Sequence, residues 1–156
     1  MITGISLKKR SVNLRIASMF AFGIAITAIL YLAKTDHIFS TNPISIIIQV
    51  CAVILMIWAR LTFGIRSFHA GANATKGKLM TGGPYKWWRH PIYAAVIYFF
   101  IGSAIAFPLI KVFAAVSIII AGLFARMLLE EKSLLRAYDD YAAYCRRTKR
   151  IIPFIF

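Results

Sequence analysis

Apolar residues fall in four blocks along the chain, 16–33, 44–63, 91–107 and 109–129, and polar residues collect between them. Each block is close to the ~20 helical residues that cross a hydrocarbon layer about 30 Å thick. The pattern predicts an all-α fold: an integral membrane four-transmembrane-helix bundle with cytoplasmic termini and a C-terminal amphipathic helix. Pro43 and Pro91 stand where the second and third helices should begin, a place that suits proline because it lacks an N–H. Blocks three and four are separated by little more than Pro108, so they should form a tight antiparallel hairpin. The stretch 64–90 reads as a long inner loop, with Gly71, Asn73, Gly77, Gly82 and Gly83 as turn formers.

Past residue 129 the period changes. Leu134, Tyr138, Tyr141 and Cys145 recur at helical spacing, while Lys132, Arg136, Asp139 and Asp140 face the other way. That predicts an amphipathic helix over about 130–147, on the inner membrane surface or against the bundle. The tail IIPFIF is apolar again and should dip back into the interface. No internal repeat or low-complexity linker appears, so residues 1–156 read as a single transmembrane domain.

Composition sharpens this picture. The chain is 60% apolar and only 15% charged, which is too apolar for an ordinary soluble domain. Its net charge of +14 points away from nucleic acid once the positions are read. Lys34 and Lys111 are the basic residues near the two short outer loops; the other seventeen gather at the N-terminus, around the middle loop and from Arg126 onward. Lys and Arg collect on the cytoplasmic side, which places both termini and the middle loop there, facing anionic lipid headgroups. The first block follows Lys8, Lys9 and Arg10, yet it is too long for a signal h-region and is read as a retained helix. The compact inner loops point to a prokaryotic inner membrane. Cys51 and Cys145 lie in different environments and neither has metal-ligand spacing, so no metal is expected.

Candidate chemistry concentrates at one border. Among five carboxylates, Glu130 and Glu131 are adjacent at the inner end of block four. The hairpin brings Arg89 and His90, at the mouth of block three, beside them. Ionisable groups near membrane depth are costly and have partners or a task. One reading is a salt bridge that fastens two helix ends. The other is a ligand seat: a helix N-terminus favours an anion, Gly82 and Gly83 permit close backbone approach, and Tyr85, Trp87 and Trp88 offer flat faces. For the two tryptophans a membrane-interface belt is the stronger reading. A small zwitterion with an extra positive charge and a flat base would suit such a border.

The segment LMTGGPYKWWRHPIYAA, a helix hairpin and then EEKSLLRAYDDYAAYCRRTKRIIPFIF together resemble the isoprenylcysteine carboxyl methyltransferase family, which is related to the phospholipid N-methyltransferases. The resemblance spans roughly residues 60–156. It implies an S-adenosylmethionine-dependent integral membrane methyltransferase whose cofactor enters from the cytoplasm and whose lipid-like substrate, an isoprenoid or lipid bearing a carboxyl or amine acceptor, enters from the bilayer. By that likeness Gly83, Pro84 and Tyr85 shape the cofactor loop. Arg89, His90 and Tyr93 form the mouth of helix three, and Glu130 and Glu131 the opposite wall. Tyr141 and Arg146 come from the closing helix. Arg89, His90 and Glu130 are the residues assigned to catalysis, with Glu130 facing the ligand and Glu131 paired to Arg89. Ala94 and Ala95 stand where family members often carry a glycine, and Tyr138 and Asp139 where some carry Phe-Gly. Two rivals remain at this point. One is an NADPH-dependent enzyme like the membrane sterol reductases, which share an RHP motif; the other is a non-catalytic membrane scaffold.

Overall fold

The structure is a computed structural model and describes residues 2–39, 41–64 and 79–152. The turns expected at Gly71, Asn73 and Gly77, and the end of the apolar tail, lie outside the described residues. Among the described residues five α-helices follow in order: α1, Ile2–Lys34; α2, Pro43–Phe63; α3, Pro91–Ala106; α4, Ile110–Ala137; and α5, Tyr141–Arg147. A 3-10 turn, Gly83–Lys86, precedes α3.

Two helices run further than the hydropathy blocks. Helix α1 begins at Ile2 rather than near residue 16. No proline interrupts 2–15, and lysine, arginine and leucine there are good helix formers, so the helix continues beyond the apolar stretch. Helix α4 carries on through EEKSLLRA to Ala137. The single amphipathic helix expected over 130–147 is therefore two pieces. Tyr138 is extended (φ −132°, ψ 115°), and the chain turns at Asp139 and Asp140 before α5. Two adjacent aspartates favour such a turn because short polar side chains compete for the backbone.

Three described helices, with spans Ile16–Lys34, Pro43–Phe63 and Ile110–Ala137, are long and apolar enough to cross a membrane. Helix α3 has 16 residues and is thus about 24 Å long at 1.5 Å per residue, shorter than the hydrocarbon layer. It is very apolar, and it is fixed at its start by Pro91.

Helix α1 lies along α4 and α2 along α3, while α3 and α4 share a narrower contact. The tight α3–α4 hairpin is thus only partly realised. Its turn is short, but the small residues that allow close packing are turned outward. A Cβ on Gly122 of α4 would lie 2.7 Å from the Ala21 carbonyl oxygen of α1, and one on Gly102 of α3 would lie 2.9 Å from Gln49 Cγ of α2. In lipid, helices associate by such packing and by hydrogen bonds rather than by expulsion of water.

The end of the bundle that carries the α1–α2 loop is held by neutral groups. Asn42 Oδ1 accepts from the Ile44 and Ser45 N–H groups (3.0 and 3.4 Å) and caps α2. Gln49 Nε2 donates to the Ile38 carbonyl (2.7 Å) and to Ser103 Oγ (3.1 Å), and Ser103 donates to the same carbonyl at 2.7 Å. This clip binds the α1–α2 loop to both α2 and α3.

Candidate active site

At the opposite end of the bundle, where α3 begins, the local sequence sets the backbone first. Gly83 takes φ +53°, a left-handed conformation that side chains disfavour. A Cβ there would lie 2.5 Å from Thr62 Oγ1, so the close approach this glycine permits is to α2. Pro84 and Tyr85 are buried behind it, and the Tyr85 ring packs on Phe63 with centroids 5.4 Å apart. Trp87 remains 40% exposed and meets Trp58 of α2 at 5.9 Å, an arrangement that suits a membrane interface. His90, just before Pro91, is driven out of the α region (φ −128°, ψ 60°), and its carbonyl accepts from Ala94 N–H to close the first turn of α3.

A C-terminal strap, residues 148–152, pairs with this segment in parallel between Trp88 and Lys149. Arg89 N–H donates to the Lys149 carbonyl (2.7 Å), His90 N–H to the Arg150 carbonyl (3.3 Å), and Lys149 N–H to the Trp87 carbonyl (3.0 Å). The strap thus uses two N–H groups that the sequence left open for an anion. Pro91 has none, and those of Ile92 and Tyr93 have no carbonyl of their own helix to bond. Tyr98 O–H ties the strap further by donating to the Ile151 carbonyl (2.6 Å).

Two carboxylates then take different partners. Glu131 is 7% exposed. Its Oε1 accepts from Arg89 Nη1 (3.0 Å) and lies 3.3 Å from His90 Nε2; its Oε2 accepts from Arg150 Nε (3.1 Å) and Nη2 (3.0 Å). Two guanidinium groups thus meet one carboxylate, and the cluster keeps a positive excess. Breaking a pair of this kind would leave a buried charge unmatched. Glu130 turns the other way: its Oε2 accepts from Tyr93 O–H (2.7 Å), and that hydroxyl accepts from Arg126 Nε (2.8 Å). The Arg126 guanidinium also lies over the Phe22 ring at 4.5 Å, which links the site to α1.

The tyrosines of the closing helix complete the wall. Tyr144 O–H donates to the Tyr85 carbonyl (2.7 Å) and fastens α5 to the 3-10 turn. Tyr141 is 1% exposed, and its hydroxyl has no hydrogen-bond partner among the described residues. Burial pushes the Tyr141 phenol up, and the nearby Glu131 charge adds to the effect. Burial likewise raises Tyr85 and Tyr144, so all three remain neutral donors at physiological pH. Arg146 is exposed on α5.

The structure therefore gathers Arg89, His90, Tyr93, Glu130, Glu131 and Tyr141 at one end, with Gly83, Pro84 and Tyr85 beside them and Arg146 at the rim. Sequence reasoning missed Arg126, Tyr144 and Arg150. Arg126 carried a signal: it lies four residues before Glu130 on one helix face within an apolar block. Arg150 carried none, because its reach depends on the turn at residues 138–140.

Comparison with known proteins adds a family. The model of a family described as phospholipid methyltransferase matches residues 41–141, which contain α2, α3, α4 and the start of α5. No curated protein and no solved structure gives a significant match.

Proposed function

The chain belongs to the phospholipid methyltransferase family, and from that premise we propose that it is an S-adenosylmethionine-dependent membrane methyltransferase acting on a lipid-like or isoprenoid acceptor at the cytoplasmic face. In this reading the four apolar helices span the bilayer with both termini cytoplasmic, in keeping with the placement of the basic residues. The observation that carries it is the buried Tyr141 hydroxyl, which lacks a partner among the described residues and lies beside a cluster with excess positive charge and a separate carboxylate, Glu130. Buried polar atoms are rarely left unsatisfied, so an orphan donor at such a site suits a ligand.

The donor set fits the cofactor. Arg89, His90 and the N–H groups of Ile92 and Tyr93 would hold its carboxylate, where the dipole of α3 also favours negative charge. Glu130 would accept from its ammonium or ribose hydroxyls. Gly83, Pro84 and Tyr85 would form the wall beside it, Tyr141 would supply its hydroxyl, and Arg146 would stand at the rim. When bound, S-adenosylmethionine supplies a methyl group on a sulfonium, which is already an activated leaving group. The residues are left mainly to align the acceptor, a contribution of roughly 7–11 kcal/mol in favourable cases. A carboxylate acceptor needs no base at neutral pH. An amine acceptor must lose a proton, and Glu130 or His90 would then take it. The family match favours methyl transfer over the reductase reading.

The test is to incubate the protein in vesicles of a bacterial lipid extract with methyl-tritiated S-adenosylmethionine and identify the product. Label should enter the organic phase, in an alkali-labile ester for a carboxyl acceptor or in a headgroup amine for a phospholipid. No labelled lipid from any extract, together with no binding of S-adenosylhomocysteine, would overturn the reading.

A further inference from the structure

The strap invites a question that the cofactor reading does not answer: why a surface segment after the last helix should hold a buried carboxylate by both oxygens. Arg150 donates to Glu131 Oε1 from Nε (3.2 Å) and to Oε2 from Nε (3.1 Å) and Nη2 (3.0 Å). Glu131 in turn holds Arg89 and His90 at the mouth of α3. The same strap bonds the backbone of those two residues. The Arg89–His90 pair is thus fixed twice by residues 148–152, once through its main chain and once through its side chains.

We infer that Arg150 is a positioning residue: through Glu131 it sets the orientation of Arg89 and His90, and the strap is the element that keeps the cofactor seat assembled. An arginine suits this role because its planar fork matches a carboxylate, and a bidentate pair fixes angle as well as distance. A carboxylate held only by Arg89 and His90 could rotate about its last torsion and carry both donors with it. Arg150 removes that freedom. Its side chain is 29% exposed, against 9% for Glu131, so it reaches the cluster from the rim and closes it. The inference rests on the methyltransferase reading for its functional consequence, but its structural half stands without a cofactor.

The test uses the full chain in lipid nanodiscs. In Arg150→Ala the amides of Arg89 and His90 should exchange with deuterium about tenfold faster, with α2 amides unchanged, because residues in one ion-pair network are energetically coupled. The KM for S-adenosylmethionine should rise about tenfold with a smaller change in kcat, and added guanidinium or Arg150→Lys should restore part of it. Combined with Glu131→Gln, Arg150→Ala should cost little more than Glu131→Gln alone. If Arg150→Ala fails to fold, Tyr98→Phe, which loosens the strap at Ile151 and leaves every ion pair in place, should raise the same KM and the same exchange rates. Unchanged exchange at Arg89 and His90 in whichever variant folds would overturn the inference. So would an additive double mutant or a KM equal to wild type. A wild type without methyl transfer contradicts the proposed function instead, and the exchange result still decides the role of Arg150 in building the site.

Discussion

The two ends of the bundle solve the same mechanical problem with different chemistry. At one end Gln49, Ser103 and the Ile38 carbonyl tie a loop to two helices with neutral hydrogen bonds. At the other Arg89, Arg126, Arg150, Glu130 and Glu131 join three segments with charges in a largely buried setting. Neutral bonds suffice to fasten helices, so the costlier charged end points to a task beyond fastening.

The largest expected effect is at the centre of the charged end. Glu131→Ala removes the carboxylate that Arg89 and Arg150 share and should lower stability by about 3–5 kcal/mol, read by thermal unfolding in detergent. Methyl transfer should be lost with it. Glu130→Gln keeps the shape and an oxygen for the Tyr93 hydroxyl, and it removes a charge that takes no part in the Glu131 ion pairs. Hydrogen bonds to charged groups are worth about 1.5–3 kcal/mol, so cofactor affinity should fall by about ten- to hundredfold with little change in melting temperature. If both measurements move together, Glu130 is only another fastener.

The remaining tests concern helix packing and the neutral end. Gly122→Leu should force α1 from α4, where even a Cβ meets the Ala21 carbonyl at 2.7 Å. Overpacking typically costs about 1–3 kcal/mol, measured here by unfolding in mixed micelles. The smallest effect belongs to Gln49→Leu, which should cost about 1 kcal/mol of stability and leave turnover per folded molecule unchanged. A loss of turnover there as large as in Glu130→Gln would erase the difference between the ends.

The contrast also shows what a linear reading can reach. The all-helical class was legible because long apolar runs admit few other folds in a bilayer, and Pro43 and Pro91 mark helix starts locally. The meeting of Arg89 with Glu131 followed from topology alone, since a short turn returns the chain to the same level. The side-by-side partners were not legible: whether Gly102 and Gly122 face each other or face α2 and α1 depends on helix rotation, and hydropathy does not encode it. The strap was hidden for a related reason. Arg150 reads as one more cytoplasmic cation until the break at Tyr138 to Asp140 aims the following segment back at Trp88.

The most direct measurement is equilibrium binding of tritiated S-adenosylmethionine to purified wild type, Glu130→Gln and Gln49→Leu in nanodiscs. Saturable binding by wild type and Gln49→Leu, weakened tenfold or more in Glu130→Gln, is the outcome expected if the charged end is the cofactor seat. Equal affinity in all three would place the cofactor elsewhere, and no saturable binding by wild type would contradict the assignment altogether.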